Sequence, residues 1–424
     1  MIATRVLVEA NMRRIGVSSV MVVALLGVAV AADYEAATVR KASEVLPQQL
    51  VSGSSFKVDE AVPSDGYMFR FKINSDFGTF DVEGRELLEV RAQEIQALVK
   101  LDEISQSDAF TQAVGQSAKN TAGGVVHVAT NPVETVMGVP QGVGRFFKGI
   151  GNAAKGVGES VGDAVTGDDG ENAVDAAGDA AKSVMGANKA KRAWAKQANV
   201  DPYSSNPDLQ KKLDDLAGAS SAGGLAMKFV PMSIVGTIAS VNGLVWDLPA
   251  EDLEKLNDQK LAKLGVTEET RKAFFKNHAY TPTQATGFVS ALETLTGVVG
   301  ANDAVALAAR KAKSEDDARF YRRAAETLAR YQKTVGPMAR LVARPAVFVG
   351  EAKSGALIFP IPYDEITWTS DADAVTASPE LKGAGASREI WLFGRCSERA
   401  RHELTARGWV VRENVLAPSG GGHE

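Results

Sequence analysis

Between Asn206 and Tyr331 apolar residues recur every three to four positions, and run after run opens on a capping residue. A packed set of α-helices satisfies that pattern, because only a 3.6-residue period brings such positions onto one face. Asn206-Pro207 opens a helix that turns Leu209, Leu213 and Leu216 to one side. Another begins near Asp247 with Leu253, Leu256, Leu261 and Leu264 inward, and Thr267 starts a third ahead of Glu268 and Glu269. Thr281-Pro282-Thr283-Gln284 has the form of a capping box, and its helix carries Phe288, Val289, Leu292 and Leu295. Ser314 to Asp317 caps a long helix with Tyr321, Ala325, Leu328 and Tyr331 inward, and Glu315 with Arg319 and Glu326 with Arg330 are spaced as i,i+4 pairs. No repeat of roughly 33 to 45 residues runs through this body, which argues against a helical solenoid.

At both ends the period changes to two. Tyr67, Phe69, Phe71 and Ile73 alternate with polar residues, Ser75 to Gly78 supplies a turn, and Phe80 and Val82 return inward. A long amphipathic helix follows Gly84 and ends near Ser105. Beyond Pro345, Val347 to Val349 and Ala356 to Phe359 flank Lys353-Ser354-Gly355 as a hairpin, and Ile366 to Trp368 offers a third strand. Glu389 to Phe393 reads as a strand, Ser397 to Arg407 as a helix ended by Gly408, and Trp409 to Val411 as a strand. The expected fold is α+β and predominantly helical, a multi-helix body with a small antiparallel or mixed sheet built from N-terminal and C-terminal strands.

Composition shifts divide the chain further. Residues 1–32 read as a signal peptide with an upstream extension 1–11, 33–114 as the hairpin and long helix, and 115–200 as a Gly/Ala-rich helical segment with an acidic linker. The helical body covers 201–344, the strand-helix-strand region 345–418 and a disordered tail 419–424. In the Gly/Ala-rich segment each glycine costs a helix about 1 kcal/mol relative to alanine, so a helix there needs close packing against a partner.

The address is written at the start. Arg13 and Arg14 precede sixteen uncharged residues, Ile15 to Val30, and small residues lead to Ala31 and Ala32 before Asp33. A basic end, an apolar stretch and a small-residue cleavage site are the three parts of a secretory signal, so export with cleavage after Ala31 or Ala32 is expected. Met12 is a second candidate start, and an uncleaved anchor is the alternative. The single cysteine, Cys396, leaves no internal disulfide, so stability must come from burial. With 47 basic and 52 acidic residues the net charge of −5 offers no general attraction for nucleic acid.

Chemistry-bearing patterns are weak. Gly158-Glu-Ser160-Val-Gly162 matches a hydrolase nucleophile elbow, but no strand precedes it. Gly149 to Ala154 loosely matches a dinucleotide loop and also lacks its strand. Ser54 and Lys57 have the Ser-x-x-Lys spacing without the companion motifs. His402-Glu403 begins like a zinc-protease helix, yet position 406 is Ala, and four histidines in all make a histidine metal site improbable. Cys396 sits between Arg395 and Arg399 before a helix cap, where a thiol pKa could fall, although no histidine lies at catalytic spacing. Phe229 to Trp246 is 18 residues without a charge, read as a buried central helix with a membrane-inserting hairpin as the alternative.

Asn131 to Gly138, Asp201-Pro-Tyr203, Tyr280 to Thr283 and Gly408 to Asn414 together resemble a family of uncharacterised secreted bacterial proteins. The resemblance spans most of the mature chain and implies an envelope location, with no activity and no site residues. The final strand-helix-strand with Gly394 also resembles half of a small periplasmic lipid-associated module of the BON type. The functional expectation is a non-enzymatic exported envelope protein, periplasmic or secreted, binding a protein partner or a lipid surface through its helical body. No cofactor, metal, nucleic acid or small-molecule ligand is expected. Two alternatives stay open: a hydrolase assembled from distant residues with Ser160 as nucleophile, and a membrane-inserting or pore-forming effector using Phe229 to Trp246.

Overall fold

The computed structural model describes residues 34–108, 110, 186–223, 242–378, 381 and 387–415. The segment read as a signal peptide, the Gly/Ala-rich stretch with Ser160, most of Phe229 to Trp246 and the tail lie outside the described residues. The described chain divides into two compact units, the larger holding residues up to Glu89 with Glu254–Tyr280 and the chain from Gln284 onward, the smaller holding Val90 to Leu253 with Thr281–Thr283.

The larger unit is α+β, as the change of period requires. Its N-terminal strands are β1 (Val39–Lys41), β2 (Phe56–Val58), β3 (Ala61–Pro63), β4 (Arg70–Ser75) and β5 (Gly78–Glu83). They form two small sheets, β1 with β3 and β2-β4-β5, all antiparallel. The turn from β4 to β5 is tight, with Ser75 opposite Gly78 and Gly78 at φ +112°. Further along come β6 (Met338–Ala343), β7 (Phe348–Ala352), β8 (Leu357–Ile361), β9 (Glu365–Ile366), β10 (Arg388–Leu392), β11 (Arg395–Cys396) and β12 (Trp409–Arg412). A five-stranded sheet runs β12-β10-β8-β7-β6, antiparallel among β6, β7 and β8 and parallel among β8, β10 and β12, while β9 and β11 pair separately. The N-terminal hairpin therefore keeps to its own sheet and does not join the C-terminal one.

The five-stranded sheet is buried on both faces, and its period of two sorts the side chains. Phe348, Ile358 and Trp391 enter one core with Phe288 of the Pro282–Thr294 helix and Tyr321 and Leu328 of the Glu315–Thr334 helix. Their neighbours Val349, Leu357, Phe359, Ile390 and Leu392 enter a second core with Leu404 of the Glu398–Ala406 helix. Each helix start has a physical reason. Ser314 accepts from the Asp317 amide while Asp317 reaches back to the Ser314 amide, and Ser397 accepts from the Ala400 amide at 3.0 Å. Glu315 pairs with Arg319 at 3.1 Å as the spacing predicts, and Glu326 pairs with Arg322 and Arg323.

In the smaller unit, Asn206 caps the Pro207–Gly223 helix through Oδ1, which accepts from the Asp208 and Leu209 amides, and Leu209, Leu213 and Leu216 are fully buried. A helix over 186–197 precedes it. Buried Glu94 accepts from Arg91 and Ser204 at 2.5 Å and from Asn206 at 3.0 Å, so its charge is paired and its lone pairs are used. The described end of the uncharged stretch is a short helix, Asn242–Asp247, with Val245 buried and the Trp246 indole donating to the Val200 carbonyl at 2.8 Å. Among the described residues no helix is long and apolar enough to cross a membrane.

Candidate functional site

Within the larger unit, the loop before β4, the first turn of the Arg85–Ser105 helix and the first half of the Glu315–Thr334 helix line one cavity with the segment after β8. Its volume is about 170 Å³. Asp65 organises the loop, its Oδ1 accepting from the amides of Tyr67 at 3.0 Å and Met68 at 2.9 Å.

Tyr363 to Glu365 hold these pieces together. The amides of Asp364 and Glu365 both donate to the Tyr67 carbonyl at 3.1 Å, and the Gly394 amide donates to the Tyr363 carbonyl at 2.8 Å. A Cβ at position 394 would lie 1.7 Å from the Asp364 carbonyl oxygen, so only glycine allows this approach. The Asp364 carboxylate accepts from the Phe69 amide at 3.1 Å and from the Arg85 amide at 3.2 Å. It thus caps the long helix from a distant part of the chain. Burial raises its pKa to about 6 against the opposing pull of Arg85 and the two amides, with Glu86 adding to the rise.

Glu86, in the first turn of the same helix, has the opposite balance. Burial alone would raise its pKa, but the guanidiniums of Arg322, Arg323 and Arg319 outweigh it and hold the carboxyl at about 2. Arg323 Nε donates to Glu86 at 2.6 Å, Arg322 also donates to Glu86, and both arginines reach Glu326, at 2.7 and 2.9 Å. Four charges therefore cancel in pairs at the cavity wall.

The walls between them are aromatic. Tyr67 and Tyr363 approach to 5.2 Å between ring centres, Phe320 lies 5.9 Å from Tyr363, and the Arg323 guanidinium covers one face of Phe393 at 5.3 Å. The Tyr321 hydroxyl donates to the Ala346 carbonyl and the Tyr67 hydroxyl meets Thr369 Oγ1. Tyr363 is 8% exposed. Arg319 Nε is buried without a hydrogen-bond partner among the described residues. Burial pushes the phenols of Tyr67, Tyr321 and Tyr363 up, so all three stay neutral. Glu83 is half-buried, and its pKa is raised by burial and by the neighbouring carboxylates of Asp316 and Asp65.

The residues singled out by sequence lie elsewhere or outside the described residues. Ser160, its glycine frame and Gly149 to Ala154 are outside them. Ser54 and Lys57 are exposed, and Ser54 approaches only Ser55. His402 is exposed on its helix beside Glu403. Cys396 is buried, and burial with the Glu413 carboxylate pushes its thiol up to about 12, against the lowering that a helix start and Arg395 and Arg399 would favour. It is a protonated core thiol at neutral pH.

Among the described residues no histidine, cysteine, serine or threonine lines the cavity. Among the described residues no group of three His, Cys, Asp or Glu side chains could hold a metal ion. The arrangement can enclose a small molecule between rings. Sequence reasoning placed Tyr67 and Tyr321 on inward faces but did not join them, because Asp65, Glu86 and Asp364 converge from three separate stretches. No protein-family model, curated protein or solved structure matches the chain.

Proposed function

We propose that the chain is an exported envelope protein that binds without catalysing, and that its binding element is the aromatic-walled cavity of the larger unit. The observation that carries this reading is the composition of the walls: ring faces and neutral phenols line the space, and among the described residues no nucleophile stands beside a base. The binding role expected of the helical body thereby passes to the junction of hairpin, helix start and C-terminal sheet. Export is supported by the basic pair, the apolar run and the small-residue cleavage site at the amino terminus.

A fragment library screened by ligand-observed NMR against the mature protein tests the reading. Bound fragments should be lost in Met68→Trp, which fills the cavity from a half-buried position, while the melting temperature holds. Fragments retained by that variant would place binding elsewhere. Covalent labelling by a broad serine-hydrolase probe, abolished in Ser160→Ala, would replace a binding role with a catalytic one.

A further inference from the structure

We propose that the cavity takes a neutral, ring-sized organic molecule and holds it by one hydrogen-bond acceptor, a carbonyl or its equivalent, directed at Lys311. The inference rests on the cavity being a binding site and names the class of ligand. Size bounds the body. A dry cavity of roughly 150 Å³ accommodates one benzene, so about 170 Å³ takes one ring with a short substituent and excludes a fused aromatic system. Tyr67, Phe320, Tyr363 and Phe393 give that ring apolar faces to pack on.

Charge decides the rest. The carboxylates of the lining are engaged within the protein: Arg70 faces Asp65 and Glu83, Arg322 and Arg323 hold Glu86, Arg319 faces Asp316, and Arg85 faces Asp364. Asp317 accepts from the amides of Lys313 and Ser314. An ammonium would therefore give up its water without gaining an unpaired counter-charge. An anion would meet six carboxylates against three basic side chains. The donors stand differently. Lys311, the last residue of the Ala301–Lys311 helix, is half-buried and lines the cavity, and its ammonium has no ion pair or hydrogen bond among the described residues. Arg319 Nε, of the same lining, is buried without a hydrogen-bond partner and lies 3.8 Å from the Asp316 carboxylate. The unused capacity is thus on the donor side, and an uncharged acceptor meets it without the cost of burying a second charge.

The test titrates the full mature protein with four one-ring probes, followed by ligand-observed NMR: acetophenone, ethylbenzene, 1-phenylethylamine and benzoate. Acetophenone and ethylbenzene should bind saturably, and the two charged probes roughly tenfold more weakly than acetophenone or not at all. Lys311→Met should weaken acetophenone about fivefold relative to ethylbenzene, the worth of one hydrogen bond to a part-exposed ammonium, with the melting temperature preserved. Reading both probes in both proteins cancels the unequal cost of taking them out of water. Lys311→Arg keeps a donor and should keep most of the acetophenone binding. If Lys311→Met changes the two neutral probes equally or not at all, the acceptor assignment falls and the cavity remains a binding site. Tighter binding of either charged probe than of acetophenone would overturn the neutral assignment in the same way. Failure of all four probes would sink both.

Discussion

Asp364 is a buried carboxyl that serves as the cap of a helix far from it in sequence, and its two tasks conflict. As an acceptor for the Phe69 and Arg85 amides it works best ionised; buried, it holds its proton to about pH 6. An unfolded aspartate releases its proton near pH 3.9, roughly. Between those values the folded state binds the proton that the unfolded state has lost, so this group makes stability fall as pH rises from about 4 to about 6. From pH 4.5 to 7.5 the loss is on the order of 2 kcal/mol. Asp364→Asn removes the titration. Whatever its constant offset, the variant should gain on the wild type by about that amount over the same interval, read from denaturant midpoints at the two pH values. Parallel profiles would show that Asp364 is ionised throughout.

At the scale of elements, the Arg85–Ser105 and Glu315–Thr334 helices meet in the larger unit through Glu86, Arg322, Arg323 and Glu326. Glu86→Gln leaves two buried guanidiniums sharing one carboxylate and should cost about 3 kcal/mol, measured by chemical denaturation at pH 7. Because the Glu86 carboxyl is held at about 2, its contribution is complete above the ordinary glutamate range and is lost as pH falls toward 2. The helices themselves were legible: Asn206, Thr267, Ser314 and Ser397 cap where the residue types predict, since caps and periods are local. The hairpins at Gly78 and Gly355 were legible for the same reason. Strand β6 was not, because a register shift between Met338 and Arg340 breaks its alternation. Glu326 also pairs with Arg322 and Arg323, one turn before it, and nothing local tells of the Glu86 that draws those two arginines together. The cavity is invisible for a deeper reason: Asp65, Glu86 and Asp364 each look like solvated charges until tertiary structure brings them to one place.

On the whole-molecule scale, Tyr34 and Glu35 dock onto the C-terminal region. Tyr34 donates to Asp373 at 2.9 Å, the Glu35 amide donates to the Trp368 carbonyl at 2.8 Å, and Glu35 Oε2 accepts from the Trp368 amide and the Ser397 hydroxyl. Cleavage of the signal at the expected point spares both residues. Intact mass of the protein taken from the cell envelope should correspond to a chain beginning at Ala32 or Asp33; a mass that includes Arg13 would mean an anchored form. The docking also fixes an order of events. A chain made from its amino terminus presents Glu35 long before Trp368 and Ser397 exist to receive it, and β8 long before β10 and β12 arrive to complete the sheet. Closure that depends on such distant residues is slow and cannot be finished by any early fragment. The larger unit is therefore built to remain open while the chain is being made, and to shut only when its last strand has arrived.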